Sequence, residues 1–245
     1  MNLNIDNFKE VLKKATLNFL IESVQLKVTK DTITSKMISQ SNDGIAILNI
    51  KNEIITDMKK TDDFTFNFIE PNQSLIPYLN LADEQTTIKV QDEKIVLATG
   101  RQKSNIFFCA PQVVSIFTSD SLRDDIEYFK EIDVDETFIQ TFNKIKKIAP
   151  KFGKIYFNVK DKVLSIETTD KRNNFSNGIS FDIDDVEYDN ISILFDYKSV
   201  ASVMGILGEG FIARFAYVPE QEMGMIYFTN EDGTEKYYLM SKQDS

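Results

Sequence analysis

The sequence predicts an α+β protein built from two similar units in tandem, and two observations support this fold class. Segments with an apolar residue at every second position, which is typical of half-buried strands, alternate with a few amphipathic segments of helical period. The same order of helix, strand pair and further strands then occurs twice within the 245 residues. We therefore expect each unit to pack two helices on a mainly antiparallel sheet.

Each unit is predicted to begin with an amphipathic helix, at residues 6–20 and again at 135–150. Strands follow at 23–39 and 44–50 in the first unit, and at 154–170 and 177–183 in the second. Aligning the two units places Val24 on Ile155 and Val28 on Val159, and each strand pair turns through a Lys-Asp dipeptide, at 30–31 and 160–161. The shared order favours internal duplication over coincidence, which is the alternative.

Both units then continue with a strand, a short helix and three more strands. The two short helices are predicted at about Asn72–Leu81 and Tyr197–Leu207. Residues from about Pro111 to Asp133 have no counterpart in the other unit. We therefore expect domains at 1–111 and 134–245, joined by a connecting segment at 112–133.

Composition excludes several classes of function. The chain has no histidine, the commonest general base and metal ligand, and its one cysteine, Cys109, cannot build a zinc site of about four ligands. Neither a glycine-rich phosphate loop nor a GxSxG motif is present. We expect no catalytic residues, no metal and no cofactor, although chemistry based on carboxylates or on carboxylates and lysine stays open.

Membrane insertion and export are not expected. No apolar run approaches the roughly 18 residues of a membrane span, and the first residues lack the apolar region of a signal peptide. The single cysteine rules out an internal disulfide and fits a reducing compartment. We expect a cytoplasmic location.

The net charge of −10 argues by itself against nucleic-acid binding, but the positions of the lysines matter more. On the second opening helix, Phe138, Phe142, Ile145 and Ala149 form an apolar stripe, and on the first Phe8, Leu12, Ala15 and Phe19 do so. Lysines lie away from both stripes, at Lys9, Lys13, Lys14, Lys144, Lys147 and Lys151. Because the pattern recurs, we predict contact with phosphates. An ordinary solvated helix face is the alternative.

Acidic residues cluster in three places. Asp182, Asp184 and Asp185 end a predicted strand, and the pairs Asp62–Asp63 and Asp124–Asp125 lie elsewhere. Three nearby carboxylates could hold a divalent cation, but their spacing lacks the order of a calcium loop. Solvated turn charges are the favoured interpretation.

The end of the chain carries the most specific motif. Residues 236–242, Lys-Tyr-Tyr-Leu-Met-Ser-Lys, resemble the KYYLAPK ending of the PCNA-like sliding clamps. Val218-Pro219 falls where these clamps carry a similar Val-Pro pair, and the opening helix is similar to their lysine-bearing first helix. Length and internal duplication also agree, so the resemblance extends over the whole chain as a pattern, with only the C-terminal motif close in its letters.

The resemblance implies a duplicated two-domain DNA-clamp fold that assembles as a homotrimer into a closed ring. Helices would line the hole and sheets would form the outside. The DNA-facing residues would be Lys9, Lys13, Lys14, Lys144, Lys147, Lys151 and Lys198. Such a ring encircles duplex DNA without sequence preference and tethers DNA polymerase and other replication proteins for processive synthesis. The implied partners are duplex DNA, the polymerase, a clamp loader and further copies of the chain.

The resemblance also implies an apolar pocket that binds a short peptide of each partner protein. Carried over by position, its residues are Gly44, Ile45, Val114, Ile116, Phe117, Pro219, Tyr238 and Met240. For the stretch 113–117, plain core packing is the alternative.

Departures from the family pattern predict a divergent member, such as one serving a viral or archaeal-like replisome. Met240-Ser241 replaces Ala-Pro, no histidine stands at Gly44, and the helix at 72–81 carries no lysine. Two other functions stay open. One is a monomeric peptide-binding scaffold with a clamp-like fold, and the other is a carboxylate-dependent nuclease or hydrolase.

Overall fold

A computed structural model describes residues 2–56, 58, 63–83, 86–91, 93–119, 122, 126–170, 178–221 and 223–242. The chain divides into two compact units, which are described separately. The N-terminal unit contains residues 1–41 and 45–118, and the C-terminal unit contains residues 42–44 and 119–245. The pair Asp124–Asp125 and the residue Asp62 lie outside the described residues.

The N-terminal unit combines short helices with antiparallel strands. Its strands are β1 (Asn2–Leu3), β2 (Ser23–Val28), β3 (Thr32–Ile38), β4 (Gly44–Lys51), β5 (Ile55–Thr56), β6 (Phe64–Ile69), β7 (Thr87–Gln91), β8 (Lys94–Thr99) and β9 (Gln102–Phe107). Its helices are α1 (Ile5–Ala15), α2 (Pro71–Ser74) and α3 (Ile76–Asn80). The strands form one sheet of order β4-β3-β2-β6 and another of order β7-β8-β9.

The C-terminal unit repeats this plan. Its strands are β10 (Tyr128–Val134), β11 (Lys154–Lys160), β12 (Val163–Thr168), β13 (Ile179–Asp185), β14 (Ile191–Asp196), β15 (Phe211–Val218), β16 (Met223–Asn230) and β17 (Glu235–Met240). Its helices are α4 (Glu136–Ile145) and α5 (Tyr197–Met204). The order β13-β12-β11-β14 matches β4-β3-β2-β6, and β15-β16-β17 matches β7-β8-β9. The predicted duplication is therefore confirmed.

Both opening helices are shorter than predicted. Helix α1 ends at Ala15 because the Thr16 side chain donates to the Leu12 carbonyl and the next three residues adopt positive φ. Phe19 therefore lies outside the helix and is half-buried, not part of its apolar stripe. Helix α4 ends at Ile145, and a separate 3-10 turn covers Ala149–Lys151, whose second residue is a proline.

The short helices also differ from their predicted spans. Instead of one helix over Asn72–Leu81, the structure has α2 and α3, separated at Leu75. Pro77 explains the break because it has no N–H to donate and its ring clashes with the carbonyl of Gln73 in a continuous helix. Helix α5 ends at Met204, three residues before the predicted end.

Aromatic residues fill the core of each unit. The Phe8 ring of α1 lies 5.2 Å from Phe66 of β6, so the apolar side of α1 packs on the sheet. In the C-terminal unit, Phe157 lies 5.8 Å from Phe195 and 5.2 Å from Phe215. Burying rings of this size contributes a large share of the stability of such a domain.

The segment predicted to connect the domains at 112–133 has structure of its own. The units divide after Thr118 rather than near residue 111, and β10 begins at Tyr128 and pairs with β15. Strand β10 precedes α4 as β1 precedes α1, so it belongs to the repeated plan. The sequence did not indicate β1, β5 or β10. In the described ranges, no helix is long and apolar enough to cross a membrane.

Candidate nucleic-acid and partner-binding surfaces

Helix α1 presents lysines away from its buried side. Asn4 begins the helix by accepting a hydrogen bond from the Asn7 N–H, and Phe8 and Leu12 are fully buried. Lys13 is exposed, whereas Lys9 and Lys14 are half-buried. Lys14 also lies 3.5 Å from Glu10, one turn earlier. Lys13 is therefore the α1 lysine most available to an external anion.

The C-terminal unit carries exposed lysines at and after α4. Lys144, on the helix, is exposed, and its Nζ lies 5.6 Å from the centre of the Phe181 ring. Lys147 and Lys151 are also exposed, but they follow the helix end, so a single helical face does not align the three. Lys198 is exposed in the first turn of α5. Contact of these lysines with DNA stays a prediction.

The acidic residues of β13 do not form a metal centre. Asp184 lies 2.7 Å from Lys130 Nζ, and hydrogen bonding to that lysine lowers the pKa of Asp184 below its ordinary value. Asp182 and Asp185 are exposed. Among the described residues, no group of three or more Asp, Glu, Cys or His side chains is arranged to hold a metal ion.

In the N-terminal unit, the stretch at 113–117 runs beside β3. Ile116 forms a bridge with Met37, and the backbone of Ser115 and Phe117 bonds to that of Ile38 and Lys36. This arrangement buries Val114 and half-buries Phe117, and it leaves Val113 and Ile116 53% and 41% exposed. Val114 is therefore part of the packed core, whereas the side chains of Val113 and Ile116 remain accessible to a partner.

In the C-terminal unit, Tyr238 is deeply packed. It is 3% exposed, and its ring stacks on Tyr227 at 4.6 Å. Burial raises the pKa of Tyr238 above its ordinary value, and the electrostatic effect of the neighbouring Tyr227 and Tyr128 raises it further. A hydrogen bond with the Leu122 backbone lowers the pKa, but by less. A peptide could touch little of this side chain in the conformation described.

The last residues of the chain are joined to several elements of the C-terminal unit. The Met240 N–H donates to the Asp43 carbonyl, next to Gly44, and the Lys242 N–H donates to Leu194. Ser241, at the position of the proline in the KYYLAPK motif that the sequence resembles, pairs with Gly224 through its N–H and its side chain, at 2.8 and 2.7 Å. A proline could not donate the first of these bonds.

The eight residues predicted for a peptide pocket differ in accessibility. The buried ones are Gly44, Ile45, Val114 and Tyr238, the half-buried ones are Phe117 and Met240, and the exposed ones are Ile116 and Pro219. Val218 and Met223, which face each other across the β15–β16 hairpin, are 39% and 37% exposed. No sequence pattern pointed to Met223, because only the hairpin register places it beside Val218-Pro219.

Two edge strands also present exposed groups. Within the described residues, β9 pairs only with β8 and β13 only with β12, so each has an edge without a strand partner. Phe107, at the end of β9, is 65% exposed, with Lys94 Nζ 5.3 Å from its ring centre. Exposed strand edges and large apolar side chains are typical of association surfaces.

No protein-family model and no curated protein sequence matches the chain. Solved structures match at low sequence identity. The PCNA of A. fulgidus, solved with the C-terminal region of FEN-1, has a TM-score of 0.62 at 12% identity, over 99% of this chain and 98% of that one. The match to the PCNA2–PCNA3 complex of Sulfolobus tokodaii has a TM-score of 0.62 at 13% sequence identity, over 98% of both chains.

A DNA polymerase sliding clamp from Bacillus subtilis gives a TM-score of 0.64 at 12% identity, over 99% of this chain but 64% of that one. The likeness to these sliding clamps extends over nearly the whole chain. It shows that the chain has the sliding-clamp fold.

Proposed function

We propose that this chain, which has the fold of the sliding clamps, is itself a clamp that encircles duplex DNA as a homotrimeric ring and tethers replication proteins. The observation that carries the proposal is the duplicated strand order with an amphipathic, lysine-bearing helix opening each repeat. No catalytic role is needed for this function. A cytoplasmic location and service to a viral or archaeal-like replisome are part of the proposal.

The distribution of charge supports contact with DNA. Although the chain carries a net charge of −10, exposed Lys13, Lys144, Lys147, Lys151 and Lys198 lie on or beside the helices that the two repeats share. In a ring lined by these helices, the lysines would meet phosphates while the acidic exterior repels DNA. Weak contacts are sufficient, because an enclosed duplex leaves only when the ring opens or the duplex ends.

The free strand edges support ring closure. Strand β9 carries Lys103 and follows Arg101, whereas β13 carries Asp182 and Asp184. Pairing the β9 edge of one copy with the β13 edge of the next would join groups of opposite charge and cover Phe107. Such a contact joins two different surfaces of neighbouring copies, head to tail. Repeating it forms a closed ring if the rotation from one copy to the next adds up to a full turn.

Exposed apolar residues support binding of partner peptides. Val113 and Ile116 in one unit, and Val218, Pro219 and Met223 in the other, are accessible. Apolar side chains with nearby backbone groups can accept a helical turn with aromatic residues. A polymerase and a clamp loader are the proposed partners.

The first test is the mass in solution, measured by light scattering over a range of concentrations. A trimer has three times the chain mass of 28.1 kDa. The second test is retention on nicked circular DNA in the presence of a matched clamp loader, followed by cutting of the circle. A ring stays on the circle and slides off once the circle is cut. A monomer that also fails to stay on circular DNA, but binds peptides, would instead be a scaffold with a clamp-like fold.

A further inference from the structure

The hydrogen bonds of β9 show which of its residues have free backbone groups. In the described part of the chain β9 pairs only with β8, and the Phe108 N–H, just after β9, donates to the Glu93 carbonyl. Along an antiparallel strand, the backbone groups of successive residues point alternately toward the partner strand and away from it. Phe107, Asn105 and Lys103 therefore direct their N–H and C=O groups to the free edge.

The free edge of β13 is assigned from its neighbour β12. Strands β11 and β12 are joined by a two-residue turn, so Val163 and every second residue after it bond to β11. The residues between them bond to β13, where the register sets Phe181 opposite Ile166. Ser180 and Asp182, on either side of Phe181, therefore direct their backbone groups to the free edge.

The residues with free backbone groups are also the ones with exposed side chains, namely Lys103, Asn105, Phe107, Ser180 and Asp182. The residues between them in each strand are buried or half-buried. Directly opposite residues of two paired strands project from the same face of the sheet. Pairing the five exposed residues with one another therefore also joins the covered faces of the two strands, whereas a shift by one residue sets apolar side chains against charged ones.

The charges on the two strands decide the direction of their pairing. Arg101 precedes β9 and Lys103 lies near its start, whereas Asp182, Asp184 and Asp185 lie at the end of β13. Opposite charges meet only when the start of β9 lies against the end of β13, which is the antiparallel direction. Within the described ranges, neither Lys103 nor Asp182 has an ion pair of its own.

Shifts by two residues keep the faces and the direction but change the pairs. Setting Lys103 opposite Asp184 would use a carboxylate that lies at a β-bulge and is already bound by Lys130 at 2.7 Å. Setting Lys103 opposite Ser180 would leave the lysine without a carboxylate across from it. The intermediate register sets Lys103 opposite Asp182, whose carboxylate is exposed.

We propose that β9 of one copy of this chain pairs antiparallel with β13 of the next copy, in the register that sets Lys103 opposite Asp182. The same register sets Asn105 opposite Ser180, so that an amide faces a hydroxyl group. The proposal rests on the proposed ring and names the residues that join its copies.

This register also sets Phe107 opposite Gly178 of the next copy. Gly178 has no side chain, so its backbone leaves room for an aromatic ring from the neighbouring strand. A Cβ at Gly178 would lie 2.7 Å from the Cβ of Thr169 in its own chain, so the fold itself requires glycine there. Phe107, which is 65% exposed in the single chain, would then be covered in the ring.

The test is disulfide cross-linking of the full chain, with C109S removing the free native thiol. N105C with S180C places two thiols opposite each other in the proposed register, where the Cα atoms of a hydrogen-bonded pair lie about 5.5 Å apart. N105C with D182C and K103C with S180C test the two shifted registers. In the proposed register these last pairs are diagonal, with Cα atoms more than about 7 Å apart, which is too far for a disulfide.

We expect N105C with S180C to give covalent dimers and trimers on a non-reducing gel, in about tenfold higher yield than either shifted pair. Preferential cross-linking of a shifted pair, or equal cross-linking of all three, overturns the register. A trimer by light scattering that cross-links in none of the three pairs also overturns the register, but it keeps a ring joined elsewhere. A monomer at every concentration that cross-links in none overturns the ring as well.

Charge reversal gives a second test, without engineered thiols. K103E sets two carboxylates against each other and should weaken association of the copies about fivefold, whereas K103E with D182K should restore it. K27E is the matched control, because Lys27 is exposed on β2, which has a strand on both sides. It should change association by less than about twofold. Failure of D182K to rescue K103E, or equal weakening by K27E, contradicts the pairing of Lys103 with Asp182.

Discussion

The Nζ atom of Lys242 lies 3.5 Å from the carboxylate of Asp196, which also accepts a hydrogen bond from the Lys198 N–H at the start of α5. One carboxylate therefore joins the end of the chain to a helix N-terminus. The two contacts should contribute unequally, because an N-cap orders the first turn of a helix, whereas an ion pair with a half-exposed lysine is screened by water.

Replacing Asp196 by alanine should lower the free energy of unfolding by about 1 kcal/mol, since alanine cannot cap the helix. Asp196→Asn keeps an oxygen acceptor and should cost less than half as much, and Lys242→Ala should cost under about 0.5 kcal/mol. Urea denaturation measures all three. If the asparagine variant is as unstable as the alanine variant, the ion pair is the more important contact.

Gly224→Ala should destabilise the C-terminal unit by about 2 to 3 kcal/mol. A Cβ at this position would lie 2.2 Å from Ile193 Cγ2, so the two strands would have to move apart. Ile193→Ala removes the obstructing atoms and is destabilising by itself because it leaves a cavity. We expect the double variant to be more stable than the sum of the single effects predicts, as measured by thermal unfolding. Strict additivity would contradict the steric explanation.

Replacing Lys144, Lys147 and Lys151 together by alanine should weaken DNA retention and processive synthesis while changing stability by under about 0.5 kcal/mol, because all three are exposed. The salt dependence of DNA binding should also become less steep, by about 0.9 in the logarithmic slope for each phosphate that is no longer neutralised. The control replaces Lys27, Lys51 and Lys160, which are exposed on strands. Equal weakening in both triple variants would show that the lysines near α4 are not a specific DNA surface.

Phe107→Asp should convert a trimer to monomers without unfolding the chain. Phe107 is 65% exposed at the free edge of β9, where a buried carboxylate would oppose pairing with another copy. Leu81→Asp is the control, because Leu81 is 77% exposed but lies at the end of α3 and not on a strand. Light scattering on both variants distinguishes an effect of the β9 edge from a general effect of added charge.

Stability should fall in alkali partly because of Tyr238. In the unfolded chain a tyrosine ionises near its ordinary pKa of 10.0, whereas burial raises the pKa of folded Tyr238. The contribution of the neutral phenol is therefore complete below about pH 10 and is lost as pH rises from there toward the folded pKa. Urea denaturation at pH 8 and pH 11 should show a smaller decline for Tyr238→Phe. Identical declines would contradict this role.

Residue type and spacing within the sequence determined much of the fold. Alternation placed most strands correctly, because side chains on a strand alternate between faces whatever the strand pairs with. Repetition of helix, strands, helix and strands indicated the duplication, and the helical period assigned Phe8, Leu12, Phe138 and Phe142 to buried positions. The break between α2 and α3 was not predicted, although the residue that explains it, Pro77, disrupts a helix locally.

Tertiary structure decided what depends on partners distant in sequence. Tyr238, predicted as a pocket wall, is buried: Tyr227 stacks on its ring, and the Leu122 backbone forms a hydrogen bond with it. Strand register alone brings Arg214 between Glu131 and Tyr227, and it alone sets Met223 beside Val218. The local period of the sequence determines which way each side chain points. The neighbours and the exposure of that side chain follow only once remote strands are paired, because pairing brings together residues that no local pattern connects.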